Sequence, residues 1–259
     1  MSDDIAPPEF STEDALVLDD DRFAPENVAL VTGAASGIGR ATALVLAEND
    51  LTVVGTDVDA DGLDETADRA ESVGVAGTVE TVVGDVREDV PEIVAAAAEH
   101  GDLTYLANVA GMQHIDPIEE FPMEAYDRMQ DVMVRAPVEL TKHALPHMRE
   151  AGFGCVGNMA SVHGHYVTSD KVAYNVAKFG LRGLTQSIAA EGDGVRAFSV
   201  STGYVKTPLV TDQIPDTADQ RGISVDEVVE DVMLGQSRTD EMMTPVEVGN
   251  LFAFGFSEH

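Results

Sequence analysis

The chain has 259 residues, 44% of them hydrophobic, enough for one large α/β domain with a full core or for two small ones. Asp and Glu number 47 against 15 Lys plus Arg, and the formal net charge of −32, with no cationic stripe, excludes nucleic acid and anionic membranes as partners. No apolar run is long enough to span a bilayer, and the first thirty residues lack a basic and apolar signal pattern, so a cytoplasmic protein is expected.

The acids run through the whole chain, and only four lysines occur: Lys142, Lys171, Lys178 and Lys206. Self-repulsion at this charge density destabilises a compact state in dilute salt, whereas near molar salt the Debye length falls to ~3 Å and screens it. A cytoplasm kept at very high salt, that of an extreme halophile, is therefore expected. Residues 1–26 are acidic and proline-containing (Pro7, Pro8, Pro25), with a short apolar patch over 15–18. They read as a loosely ordered extension docking on the surface, ahead of a single domain over 27–259.

Asn27–Thr32 is a short apolar run of the kind that forms a buried parallel strand. It passes directly into Gly33-Ala34-Ala35-Ser36-Gly37-Ile38-Gly39 and a helical stretch over 40–49. Glycines between strand and helix let the backbone turn tightly and approach a pyrophosphate held at the helix N-terminus. The next strand, 51–56, ends at Asp57, whose carboxylate can accept hydrogen bonds from both hydroxyls of an adenosine ribose. It would repel a 2′-phosphate, and no arginine occupies the glycine turn to attract one, which favours NAD over NADP.

The alternation continues. Helices are expected over 60–73, 90–100, 124–148 and 172–191, and strands over 78–84, 103–107, 156–159 and 195–201. A helical lid follows over 209–235, then a last helix over 245–254. The pattern calls for a doubly wound parallel sheet of Rossmann type, with its ligand site at the carboxyl ends of the strands. The single cysteine, Cys155, sits in an apolar run, excludes an internal disulfide and suits a reducing compartment. The seven histidines have no metal-ligand spacing, so no metal is expected.

In the helix over 172–191, Tyr174 and Lys178 lie one turn apart on one face. A free tyrosine titrates near ~10, too high for proton exchange at neutral pH, and a lysine cation one turn away is expected to lower it. Ser161, upstream, is placed to hydrogen-bond the oxygen whose proton moves.

These residues carry a family resemblance. Thr32–Gly39 resembles the T-G-x-x-x-G-I-G cofactor loop of the short-chain dehydrogenase/reductase family, Asn108–Gly111 resembles its N-x-A-G segment, and Ser161, Tyr174 and Lys178 have its serine, tyrosine and lysine spacing. The resemblance implies hydride exchange with a nicotinamide ring. Tyr174 is then the acid/base, Lys178 its tuner and a ribose ligand, and Ser161 the group polarising the substrate oxygen. It also implies cofactor contacts from Gly33, Ser36, Gly37, Ile38, Gly39, Asp57, Asp85, Val86, Asn108, Ala110, Gly111, Gly203, Val205 and Thr207, with Thr202 where proline is usual.

Within that family the chain is similar to the D-3-hydroxybutyrate dehydrogenases. Their A-S-x-H-G segment is Ala160 to Gly164 here, and their K-x-A-Y is Lys171 to Tyr174. Their N-A-G-I-Q-x-x-x-P-I-E-x-F-P segment matches Val109 to Pro122, and G-x-V-x-T-P-L-V-x-x-Q-I matches Gly203 to Ile214. The likeness implies that Gln113, His163, Lys171 and Gln213 hold a substrate carboxylate. Chemically, a small 3-oxo acid needs such cationic and amide donors. A homo-oligomer, by family expectation a tetramer, is also implied. Other readings are the same chemistry on another small alcohol or 3-hydroxy acid, and a catalytically weak NAD-binding protein.

Two departures stand out. The family's catalytic asparagine position falls on Met133, whose side chain cannot hold a water of the proton relay. The chain also stops at Phe256-Ser257-Glu258-His259, where family members continue through one more strand and a glycine-rich tail. Either the sequence is truncated there or that strand is lost, and its loss would expose an unpaired sheet edge.

Overall fold

A computed structural model describes residues 8–235, 237–239 and 241–258. Residues 1–7 of the expected extension and His259 lie outside the described residues. Six strands form one parallel sheet in the order β3-β2-β1-β4-β5-β6: β1 Asn27–Thr32, β2 Thr52–Asp57, β3 Thr78–Val83, β4 Asp102–Asn108, β5 Gly154–Met159 and β6 Val195–Val200. Every residue of β1 and β5 is buried, as strands covered by helices on both faces require. The doubly wound α/β expectation is borne out.

The helices that pack on the sheet segregate by face. One face carries α1 Gly37–Glu48, α2 Ala60–Val73 and α10 Pro245–Phe256, burying Leu46, Leu63 and Phe252 with Val31 and Val53. The other carries α3 Val90–Ala98, α5 Ala136–Glu150 and α6 Val172–Glu191, burying Ile93, Leu140 and Ile188 with Leu30 and Val156. Strand order reverses between β1 and β4, and the crevice at their carboxyl ends is the place such sheets use for ligands.

Three elements differ from expectation. Helix α1 begins at Gly37, because the last residues of the glycine turn already form its first turn. The long helix expected over 124–148 runs from α4 Met123–Gln130 through a π-turn, Asp131–Arg135, into α5. Pro137 explains the break: it has no N–H for the carbonyl of Met133, so the turn opens and Ala136 donates to the carbonyl of Asp131 instead. The lid divides into α7 Pro208–Thr211, α8 Gln213–Arg221, α9 Val225–Glu227 and a second π-turn, Val228–Met233. Ile214, Ala218, Val228 and Met242 give it an apolar centre of its own.

Described residues of the N-terminal segment lie along two asparagine side chains. Asn250 of α10 accepts from the Leu16 N–H at 2.8 Å and donates to the Asp14 carbonyl at 2.9 Å. Asn49 accepts from the Leu18 N–H and donates to the Leu16 carbonyl, both at 2.8 Å. Phe23 then inserts edge-on against Tyr105, with ring centroids 5.9 Å apart. At the other side of the sheet no described strand pairs with the outer edge of β6. Arg196 guards that edge, its guanidinium donating to the carbonyls of Phe256 and Ser257 at 2.6 and 2.9 Å.

Candidate active site

The crevice is a cavity of about 440 Å³. Its floor is the glycine turn: Gly33, Ser36, Gly37, Ile38 and Gly39 all line it. Gly33 and Gly37 hold positive φ angles of 73° and 53°, which side-chain-bearing residues rarely adopt. A Cβ on Gly39 would lie 2.0 Å from the Gly33 carbonyl oxygen, and one on Gly33 would lie 2.9 Å from Ala110 Cα. Gly39→Ala should therefore cost about 3 kcal/mol, the upper end of overpacking penalties, and abolish dinucleotide binding. Thermal melting and quenching of cofactor fluorescence would measure the two effects.

Asp57 lines the cavity at the end of β2 and accepts from the Ala35 N–H at 3.3 Å, so its carboxylate faces the turn. Arg40, just beyond the turn, is committed elsewhere. Its guanidinium donates to the carbonyls of Ala35 and Gly62 and to Glu65, and its Nε to Thr66. Asp85 and Val86 line the far end. The Asp85 carboxylate is bound by Arg87, whose side-chain hydrogen bond holds its pKa below the usual value. Arg87 also lines the cavity, and no motif marked it in advance.

At the end of β4, Thr32 Oγ1 accepts from the N–H groups of Val109 and Ala110 at 3.0 and 3.1 Å, fixing the loop whose Ala110 and Gly111 line the cavity. Asn108 does not line it. The side chain is buried and donates to Asn158 Oδ1 at 2.9 Å, and Asn158 donates to Thr185 of α6 at 3.0 Å. This chain of amides ties β4, β5 and α6 together, so Asn108 acts on the framework. Gly203, Val205 and Thr207 line the opposite wall. The residues present thus fit a nicotinamide dinucleotide: a cradle closed to Cβ atoms, an acid at the ribose end of the turn, and a buried lysine.

Ser161, Tyr174 and Lys178 all line the cavity. Lys178 is 3% exposed, and burial pushes its pKa down to about 8. Its ammonium donates to the Met159 carbonyl at 2.7 Å and stands 5.2 Å from the centre of the Tyr174 ring. The expected lowering of the Tyr174 pKa is not met in the free chain. Burial pushes the phenol up, and the hydrogen bond from Ser161 works against that shift. The lysine charge is spent on a main-chain carbonyl, a partner that side-chain spacing cannot reveal. The group can exchange a proton at a hydroxyl oxygen brought against Tyr174.

The four expected carboxylate donors form two pairs, of which the second packs against Tyr174 through His163. Gln113 Nε2 donates to Gln213 Oε1 at 3.2 Å, and Gln213 donates to the carbonyl of Leu209. Their neighbours Met112 and Leu209 line the cavity, although neither glutamine does. The His163 ring packs edge-on against Tyr174 at 5.8 Å, and the nearby Lys171 charge joins burial in lowering its pKa. Burial also lowers the pKa of Lys171. Met133 is fully buried with Phe121, Met129, Ala173 and Ala177, its Sδ 3.7 Å from where a Cβ on Gly111 would stand. An apolar side chain thus fills the ground between the β4 loop and the helix of Tyr174.

Residues 27–218 match the family model for short chain dehydrogenases. The D-beta-hydroxybutyrate dehydrogenase of Rhizobium meliloti (strain 1021) is 36% identical over 229 residues, 86% of this chain and 88% of that protein. The one from Cupriavidus necator is 34% identical over 236 residues, 89% of this chain and 90% of that protein. Among solved structures, a singly substituted actinorhodin polyketide ketoreductase with NADPH superposes with a TM-score of 0.84 at 26% identity, covering 92% of both chains. On the match over most of its length, the chain belongs to the short-chain dehydrogenase/reductase family and is an oxidoreductase.

Proposed function

We propose that the chain is an NAD-dependent dehydrogenase interconverting (R)-3-hydroxybutyrate and acetoacetate. The chemistry the cofactor supplies when bound is hydride exchange with the hydroxyl-bearing carbon. The protein's own part is the proton. Tyr174 takes it from the substrate hydroxyl during oxidation and returns it during reduction, with Ser161 lining the same cavity. Lys178 supplies the cation that makes the phenolate accessible once the substrate oxygen lies against it.

The observation that carries the substrate assignment is the pairing of Gln113 with Gln213 and of Lys171 with His163, the His163 ring lying against Tyr174. Gln113 and Gln213 meet across 100 residues of sequence, and Lys171 sits where its charge reaches His163. A neutral alcohol has no use for a half-buried lysine charge, whereas a carboxylate does. The names of the Rhizobium and Cupriavidus relatives point the same way. Preference for NAD rests on Asp57 in the turn and on Arg40 being engaged by the turn itself. A 2′-phosphate there meets the Asp57 carboxylate, and Arg40 is held by other partners.

The test is oxidation of each enantiomer of 3-hydroxybutyrate, and of an uncharged alcohol of similar size, with NAD and with NADP in ~2–3 M KCl. The expected outcome is turnover of one enantiomer with kcat/KM at least about 10²-fold higher for NAD. Faster turnover of the uncharged alcohol sinks the carboxylate assignment, and parity between cofactors sinks the role of Asp57.

A further inference from the structure

The crevice wall beyond Asp57 is apolar except for one planar cation. Val58 follows Asp57 and lines the cavity although it is 65% exposed. The end of β3 lies alongside, the Gly84 N–H donating to the Asp57 carbonyl at 3.0 Å, and Val86 lines the cavity from the loop that follows. Val132 lines it from the π-turn. Among these valines stands Arg87, and Asp85 holds it twice. The Asp85 carboxylate accepts from the Arg87 main-chain N–H at 2.9 Å, and from the side chain through Nε at 3.0 Å and through Nη2. The Asp85 N–H donates in turn to Asp89 at 2.9 Å, which closes the loop ahead of α3. Asp131, next to Val132, adds the pull of its charge on Arg87 to that of Asp85.

We propose that Arg87 stacks the face of its guanidinium on the adenine of the cofactor, with Asp85 holding the group in position. The inference rests on the chain binding an adenine dinucleotide, and it does not depend on which hydroxy acid is oxidised. Nε and Nη2 are engaged by Asp85, and the ion pair is close to neutral, so this arginine is a poor partner for a further anion. What it presents to the cavity is its flat face, since 36% of the side chain remains exposed. A guanidinium is weakly hydrated and stacks on aromatic rings, and a carboxylate gripping one edge fixes its plane without covering the face. The surrounding valines require an uncharged and apolar surface in the same place. A purine base meets both conditions, having broad π faces and no charge.

In this arrangement the glycine turn serves the pyrophosphate, Asp57 the adenosine ribose and Arg87 the base. Cofactor affinity then depends on Arg87, whereas the proton step at Tyr174 does not. Lysine at this position would keep an ion pair with Asp85 and lose the plane.

The test is titration of NADH into wild type, Arg87→Ala and Arg87→Lys, followed by nicotinamide fluorescence. It is run in the lowest salt that keeps the chains folded and again in ~2–3 M KCl. Arg87→Ala is expected to weaken NADH binding about 5- to 30-fold at both salt concentrations. Arg87→Lys should lose nearly as much, because an ammonium keeps the charge and has no plane. Reduced nicotinamide mononucleotide, which lacks the adenine, should bind all three chains alike, and an equal loss for it overturns the stacking. Wild-type affinity for NADH in Arg87→Ala overturns it as well. A loss that Arg87→Lys restores, or that high salt abolishes, makes Arg87 a point charge and overturns the proposal. So does a loss larger for NADPH than for NADH, which would put the guanidinium on a 2′-phosphate. If Arg87→Ala does not fold, Arg87→Lys decides alone, since it leaves Asp85 a cation, and wild-type affinity in that variant overturns the stacking. A wild type that binds no NADH removes the dinucleotide reading and the stacking with it. Failure to oxidise 3-hydroxybutyrate sinks the substrate assignment alone, because the titrations need no turnover.

Discussion

Tyr174→Phe is expected to lower kcat for oxidation by about 10²- to 10⁴-fold, with KM and cofactor affinity close to wild type. Phenylalanine keeps the ring that packs edge-on against His163 and stands beside the Lys178 ammonium, so the walls of the cavity survive. Only the phenol oxygen is lost, and with it the acceptor for the substrate proton. The pH profile makes the test sharper. Burial raises the phenol above its ordinary value, so the phenolate needed for oxidation becomes more abundant as pH rises through neutrality. Wild-type oxidation should therefore accelerate with pH, and the residual rate of Tyr174→Phe should not follow it. Stopped-flow measurement of NADH formation over that range gives both. A variant with wild-type kcat removes Tyr174 from the chemistry.

Much of the fold is legible in the chain because parallel strands buried on both faces leave a plain trace in sequence. Asn27–Thr32, Ala60–Val73 and Val172–Glu191 have the ends that their apolar patterns predict. The π-turn at Asp131–Arg135 escapes periodicity, although its cause is printed in the chain: Pro137 withholds an N–H from the residue four positions earlier. The contacts of Phe23 with Tyr105 and of Asn49 with the N-terminal segment are long-range, and local composition there is merely acidic. Within the site, spacing identifies which side chains gather but not what each one touches. Lys178 spends its ammonium on a main-chain carbonyl, Asn108 faces Asn158 rather than the cavity, and His163 is engaged at both nitrogens. Such pairings are fixed by tertiary geometry, and one-dimensional spacing does not encode them.

Lys178→Met should remove activity and also change how stability depends on pH. The folded chain holds this lysine at a pKa of about 8, against 10.5 for the ordinary side chain, and burial is the whole cause. Between those two values the unfolded chain binds the proton that the folded chain has released, so stability rises with pH across the window. Below about pH 8 both states are protonated, and the full cost of burying the ammonium is present. A depression from 10.5 to about 8 corresponds to roughly 3 kcal/mol. Methionine has nearly the same length and no charge, so the wild-type-minus-variant difference in unfolding free energy should climb by about 3 kcal/mol from pH 8 to pH 10.5 and stay flat below. Other tyrosines and lysines that titrate in that range cancel in the difference. The variant's one new defect is a Met159 carbonyl without its donor, a loss of about 1–3 kcal/mol that does not vary with pH. Denaturant titrations of both chains in high salt measure the difference curve. A flat curve would mean that the ammonium reaches water or a counter-charge in the folded protein. A climbing curve with lost turnover would mean that the fold tolerates this charge at a cost, and that the cost is met for the sake of the phenol one turn away.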